Sequence, residues 1–280
     1  MNIKILSDST CDLSAAQIAQ YNISLIPLIV MKGGQEYSDG VTITPAEIFA
    51  HVAAGGELCS TAALSYAIYQ EKFEQYASEY DGIVHISIGS GFSSSYQNAC
   101  LAADEFDNVI VIDSMNLSTG QGHVVLEACR LAKEVESLSE LKEKLDAFVP
   151  KVEASFLIDK LNYLAKGGRC SAVAALGANL LNLKPCIEVK NGKMSVVKKY
   201  RGNYAKCLAS YVKDRLDGRE DILREELFLT YTTVTDECLT AVMDSIEQYG
   251  NFSHVYETQA GCTVSCHCGP DTLGVLFVRK

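Results

Sequence analysis

Apolar residues follow two rhythms along the first half of this chain. Short strand-like runs rich in apolar residues occur at Ile3–Leu6, Ile23–Met31, Val84–Ile88 and Val109–Ile112. Between them, apolar positions return every three or four residues, a pattern that predicts helices crossing between parallel strands. Helices are expected over Leu13–Gln20, with Asp12 near its start, and over Ala46–Ala54, where Thr44-Pro45 supplies a hydroxyl cap and a first-turn proline. Tyr66, Tyr69, Phe73, Tyr76 and Tyr80 mark one face of a helix over 65–80, a stripe best read as core packing. Further helices are expected near 93–105 and over 118–135.

Leu138–Val149 reads as a short charged helix closed by Pro150, and the domain boundary is placed there. After it the rhythm changes. A strand near Ala154–Ile158 leads to a glycine-interrupted helical stretch and then to Lys184–Arg201, which alternates around Asn191-Gly192, a strong hairpin signal. A helix at 203–216, strand Leu227–Tyr231, helix 236–248 and strands 252–257 and Leu273–Val278 follow. The expected architecture is α/β in two domains. Residues 1–150 form a mostly parallel sheet with helices on both faces, and residues 151–280 an α+β domain with a mixed sheet.

Three of the apolar runs end in hydroxyl-rich segments: Ser7-Asp8-Ser9-Thr10, Ser87 with Gly89–Ser95, and Asp113-Ser114. Ligands of open α/β sheets bind beyond the carboxyl ends of the strands, so these tails are expected to converge as a nest of neutral donors for a polar or anionic head group. The formal charge of −11 over 280 residues argues against broad binding of nucleic acid or anionic membranes. No apolar run reaches the ~20 residues of a membrane span, and the start lacks a secretory pattern, so a cytoplasmic protein without stable membrane anchoring is expected.

Eight of the eleven cysteines are scattered singly and read as small reduced hydrophobes. Cys262-x-x-x-Cys266-His267-Cys268 has the ligand types of a zinc site, but no second cluster and no CxxC spacing, so no metal is expected there. Lys166-Gly167-Gly168-Arg169 precedes a helix of small residues, Ala172–Leu181, and could present backbone N–H groups and a forked cation to a carboxylate or phosphate. Ser93, His267 and Asp8 or Asp113 could assemble a hydrolase triad, although no G-x-S-x-G elbow is present. Neither a dinucleotide fingerprint nor a P-loop occurs. Lys184, Lys190, Lys193, Lys198, Lys199 and Arg201, opposed only by Glu188, form a basic hairpin suited to an acidic or phosphate-bearing partner.

Four ordered segments resemble the DegV family of bacterial lipid-binding proteins. They are Ser7-Asp8-Ser9-Thr10-Cys11-Asp12-Leu13, Phe92–Ala99, Leu161 to Pro185 with Gly167-Gly168-Arg169, and His267-x-Gly269-Pro270 with Leu273-Gly274. The resemblance implies a long-chain fatty acid bound in a tunnel between two domains, with no cofactor. It further implies a binding subunit, more a lipid carrier than a catalyst, that offers the acyl carboxylate to the ATP-binding subunit of a fatty acid kinase. The product would be an acyl phosphate for phospholipid synthesis. Family hydroxyls that hold the carboxylate correspond to Thr61 and Ser93, with Ser94 beside it, and the family arginine and histidine to Arg169 and His267. The family's T-S-Q-P-S loop reads Thr61-Ala62-Ala63-Leu64-Ser65 here, so one hydroxyl is missing, with Ser60 as a possible substitute. Apolar residues near the strand ends and within 176–187 are expected to line the tunnel. The alternative is a self-contained enzyme acting on a small acyl or carbonyl substrate through Ser93 and His267.

Overall fold

The computed structural model describes residues 1–174 and 183–280. Its first half contains β1 (Ile3–Asp8), β2 (Ser24–Ile26), β3 (Ile29–Lys32), β4 (Gln35–Ser38), β5 (Ser60–Ala62), β6 (Gly82–Ser87) and β7 (Val109–Asp113). Strands β2, β1, β6 and β7 lie side by side in that order, all parallel. Strands β1 and β6 are buried along almost their whole length, Lys4 and His85 included, as a sheet covered on both faces requires.

Ile23–Met31 is not one strand. Pro27 has no N–H to give a ladder, and the run divides there: β2 joins the parallel sheet, while β3 pairs antiparallel with β4 and β5. Leu28 at the break donates its N–H to Ser9 Oγ at 3.1 Å and accepts from Asp39 N at 2.9 Å. Strands β4 and β5 are short and polar, and periodicity gave no sign of them.

The second half adds β8 (Val152–Ile158), β9 (Leu183–Lys190), β10 (Lys193–Arg201), β11 (Ile222–Tyr231), β12 (His254–Gln259) and β13 (Thr272–Arg279). They form one mixed sheet in the order β10-β9-β8-β13-β11-β12, in which only β11 and β12 pair parallel. The expected α/β class, with a parallel sheet first and a mixed sheet second, is the observed one.

Between the two sheets lies helix Thr119–Leu131, which touches β1 and β6 on one side and β8 and β13 on the other. That placement explains why ten of its thirteen residues are buried, polar Gln121 and His123 among them. One apolar core therefore runs from Ile5 and Ile86 through Val124 to Phe156 and Leu276. A fully buried side chain of this kind contributes about 1.5–3 kcal/mol. A smaller core joins Val30, Ile43, Ile48 and Cys59 to Cys262 and Cys266. It seats the short helix Cys262–Cys268, which belongs to the second half, on the three-stranded sheet of the first.

The tip of the β9–β10 hairpin also reaches the first half. A Cβ on Gly91 would lie 2.1 Å from the Gly192 carbonyl oxygen, so only glycine lets the two backbones meet there. Gly91→Ala is expected to destabilise the chain by about 1–3 kcal/mol, the usual cost of forced overpacking, as read by urea denaturation. An unchanged midpoint would mean that the hairpin tip lifts off freely.

Candidate functional site

The carboxyl end of β6 is fixed from below by a buried acid. Asp8, at the end of β1, accepts hydrogen bonds from Tyr69 Oη (2.7 Å), Ser87 Oγ (2.9 Å) and the Ile88 N–H (2.8 Å). His85 Nε2 stands 3.3 Å from the same carboxylate without hydrogen-bond geometry, so that contact is electrostatic. Burial pushes the Asp8 carboxyl up, but the adjacent His85 ring and the bonds from Ile88 and Tyr69 outweigh it and hold the group below the usual carboxylate range. With Ile88 pinned, the chain continues into Phe92, Ser93 and Ser94, which turn toward a cavity of about 160 Å³.

Three other elements bring the remaining polar side chains of its wall. Strand β5 brings Thr61 and Ala62, the turn after helix Leu161–Gly167 brings Arg169, and helix Cys262–Cys268 brings Thr263, Val264, His267 and Cys268. Thr61, Ser93, Ser94, Arg169 and His267, distant in sequence, therefore line one space.

His267 Nε2 is 2.7 Å from Thr61 Oγ1. Its Nδ1 is buried without a partner and faces Gly167, where a Cβ would approach it to 2.4 Å. The two glycines thus have separate reasons: Gly167 makes room for the imidazole, and Gly168 closes the helix in the left-handed region at φ 69°. Burial, and secondarily the Arg169 charge, push the His267 pKa down to about 4, so the ring is neutral at physiological pH. The tautomer protonated on Nε2 is assigned, because an N–H at Nδ1 would be buried without an acceptor. In that state His267 donates to Thr61 Oγ1 and leaves the threonine proton free for a ligand.

Ser93 Oγ lies 2.9 Å from Ser95 Oγ and accepts from the Ser95 N–H at 3.2 Å. Ser94 sits exposed at the rim, ahead of helix Ser95–Ala103, with no capping bond to its hydroxyl. Arg169 Nη1 donates to the Gly167 carbonyl (2.7 Å) and Nε to that of Phe92 (3.4 Å), bridging the two halves at the mouth.

Leu117, Val264 and Cys268 are shared with a second, adjacent space of about 30 Å³. Several hydroxyl residues line that space, but their polar ends are turned elsewhere. Ser118 bonds Asp12, Ser155 bonds Tyr211, Thr230 bonds Thr258, and Thr272 donates to the Cys268 carbonyl. What faces inward is apolar.

Several expectations need correction. The three strand tails do not form a common hydroxyl nest. Ser7 donates to the Ile86 carbonyl, Thr10 to Gln121 Oε1 and Ser114 to the Asn116 carbonyl, all buried inside the fold. Only the β6 tail reaches the cavity. No hydrolase triad forms, because His267 bonds Thr61 rather than Ser93. Asp8 serves the β6 end, and Asp113 accepts from the N–H groups of Ser90 and Met115. Cys262 and Cys266 face the small apolar core while Cys268 borders the cavity, and no group of three metal-ligating side chains occurs among the described residues. Burial raises the thiols of Cys262 and Cys268 to about 12.

In the basic hairpin, Lys184 pairs with Asp159 and Lys198 with Asp214, while Glu188 is held by Arg215. Lys190, Lys193, Lys199 and Arg201 stay exposed. Ser60 does not line the cavity. The small-residue helix Ala172–Leu181 and much of the 176–187 lining lie outside the described residues, apart from helix Ser171–Ala174 and β9. Thr263, Val264, Leu117 and Met194 also line the cavity and went unread. Helix Cys262–Cys268 is seven residues long and carries none of the usual formers, yet Gly261 before it and Gly269 after it bracket the spacing that aligns Thr263 with His267.

The geometry has counterparts. A DegV domain-containing protein of Clostridium acetobutylicum is 35% identical over 99% of both chains. A solved fatty-acid-binding DegV family protein from Thermus thermophilus superposes with a TM-score of 0.90 at 28% identity, each chain covered completely. A stearic acid-binding protein from Eubacterium ventriosum gives a TM-score of 0.84 at 25% identity, covering 99% of this chain and 98% of the other. Residues 2–280 match the model of the family described as "Uncharacterised protein, DegV family". The chain belongs to the DegV family.

Proposed function

We propose that this protein binds one long-chain fatty acid, its carboxylate held among Thr61, Ser93, Ser94, Arg169 and His267 and its tail running past Leu117, Val264 and Cys268 into the interior. The observation that carries this reading is the contrast between two adjacent spaces that share Leu117, Val264 and Cys268: hydroxyls, a neutral imidazole and one guanidinium line the first, and an apolar wall the second. Each methylene buried there contributes about 0.8 kcal/mol, so the tail supplies most of the affinity and the head group fixes orientation. The Thermus thermophilus and Eubacterium ventriosum relatives, described as fatty-acid- and stearic-acid-binding, support it. The test is mass spectrometry of an organic extract of the purified protein. A C14–C18 acid near one equivalent is expected, and a delipidated chain that takes up no such acid in calorimetry would refute the reading.

The proposed role is that of a cytoplasmic carrier working for a separate kinase. A carboxylate held by hydrogen bonds rather than in a buried ion pair keeps a lone pair available to attack a phosphoryl donor brought by an ATP-binding partner, giving an acyl phosphate. The chain itself supplies position, not chemistry. Strand membership, with β1–β7 before residue 150 and β8–β13 after it, supports a division into domains 1–150 and 151–280, the ligand lying between them. No helix among the described residues is long and apolar enough to cross a membrane.

The partner would dock on the exposed cations of β9–β10, Lys190, Lys193, Lys199 and Arg201. Lys199→Glu with Arg201→Glu is expected to slow coupled phosphorylation at least tenfold, with fatty-acid affinity within twofold of the parent, since rim charges act mainly on encounter. Unaltered coupling with a cognate kinase would reduce the hairpin to ordinary surface.

A further inference from the structure

Thr263 carries a hydroxyl that the fold leaves unused. The residue is only 5% exposed, and its Oγ1 is buried without a hydrogen-bond partner. Its backbone N–H is satisfied by Asp39 Oδ2 at 3.3 Å, so the main chain at this position is provided for. In the first turn of helix Cys262–Cys268 there is no helical carbonyl four residues back for the hydroxyl to bond. A buried polar group without a partner is costly, and a valine of nearly the same shape would avoid that cost.

The residue that carries the unused hydroxyl lines the cavity already described. Thr263 lines it together with His267, one helical turn away on the same face. Across the space, β5 offers a single hydroxyl, Thr61, since Ala62 and Ala63 follow it. Thr61 Oγ1 is engaged by His267 Nε2. Of the four residues that helix Cys262–Cys268 brings to the cavity, Thr263 is the one with a hydroxyl.

We propose that Thr263 is a ligand-contacting residue whose hydroxyl donates to the second oxygen of the bound carboxylate, opposite Thr61. This rests on the fatty-acid reading of the same cavity. Its buried, unpartnered state in the free protein is then a feature of the binding site rather than of the fold.

The test titrates palmitate into the delipidated full-length chain and compares the parent with Thr263→Val, Thr263→Ser and Thr61→Ala, alongside thermal unfolding of each. Thr263→Val is expected to weaken palmitate about five- to fifty-fold while leaving the melting temperature of the free protein unchanged or higher. Thr263→Ser, which keeps the hydroxyl, should stay within about threefold of the parent, a difference too small to signal a lost hydrogen bond. Loss of melting temperature in Thr263→Val would overturn the proposal, because it would show that the hydroxyl has a structural partner. Unchanged affinity in Thr263→Val with weakened binding in Thr61→Ala would also overturn it, leaving the carboxylate site intact. Unchanged affinity in both variants would overturn the site reading itself.

Discussion

Equilibrium unfolding of the ligand-free chain is expected to show greatest stability near pH 6.5 and to lose about 1.4 kcal/mol per pH unit on either side. Three buried groups set this shape. His123, enclosed between the two sheets with Nε2 3.2 Å from the Leu276 carbonyl oxygen, is pushed down to about 4 by burial. His267 is pushed down to about 4 by burial and then by Arg169. Asp12 goes the other way: burial raises it to about 8 despite the Ser118 hydroxyl 2.6 Å away and the N–H of Gly261 at 2.9 Å.

Each histidine has a folded pKa below its unfolded value. Its contribution is present above about pH 6.5 and is lost as pH falls, when the unfolded chain takes up a proton the folded chain refuses. Asp12 has a folded pKa above its unfolded value. Its contribution is complete below about pH 4 and is lost as pH rises toward 8. At pH 6.5 two half-protonated histidines in the unfolded chain balance one protonated Asp12 in the folded chain, and the slope is zero. Below that point the histidines outnumber Asp12 by one proton, and above it Asp12 acts alone. Asp12→Asn should flatten the alkaline side and His267→Gln should soften the acid side. A stability maximum above pH 8, or an alkaline limb indifferent to Asp12→Asn, would contradict this assignment of protons.

Asp12 also shows what could be read along the chain and what could not. Its place in the Ser7–Leu13 segment made it one of several polar residues at the end of an apolar run, and the run itself was legible. Strands β1, β6 and β7 are rich in apolar residues and largely buried, interrupted only by Lys4 and His85 before their polar ends, and burial of that extent leaves a readable signal. Strands β4 and β5 have partly exposed faces and three or four residues each, too few for a period to declare itself. Hydroxyl clusters were legible as composition but not as function. Whether Ser7 and Thr10 face a ligand depends on Gln121, which arrives from a distant helix and bonds both. Thr61, Ser93, Arg169 and His267 were recoverable through motif resemblance, since no local pattern joins four separate elements. Thr263 differs from them. Its importance lies in the phase of a seven-residue helix and in the lack of a partner, and both are properties of three-dimensional packing.

Replacing Arg169 is expected to have the largest effect on binding: Arg169→Gln should weaken palmitate about ten- to hundredfold, the range for a hydrogen bond to a charged group. Among the described residues it is the only cation lining the cavity. The other polar groups there are hydroxyls and an imidazole kept neutral by burial. Its Nη1 and Nε are committed to the Gly167 and Phe92 carbonyls, which hold the guanidinium plane at the mouth, and Nη2 makes no bond among the described residues. That fixed plane distinguishes arginine from lysine, so Arg169→Lys should recover part of the attraction but not the parent affinity. Because the side chain is exposed, its attraction is screened, and parent affinity should fall with added salt more steeply than that of Arg169→Gln. Hexadecanol, which has the same tail without the acid, separates the two possible origins of the loss. If Arg169 acts on the carboxylate, hexadecanol binds parent and variant alike. If Arg169 only clamps the Phe92 loop to the Gly167 turn, both ligands weaken together, and the arginine is a hinge pin rather than a contact.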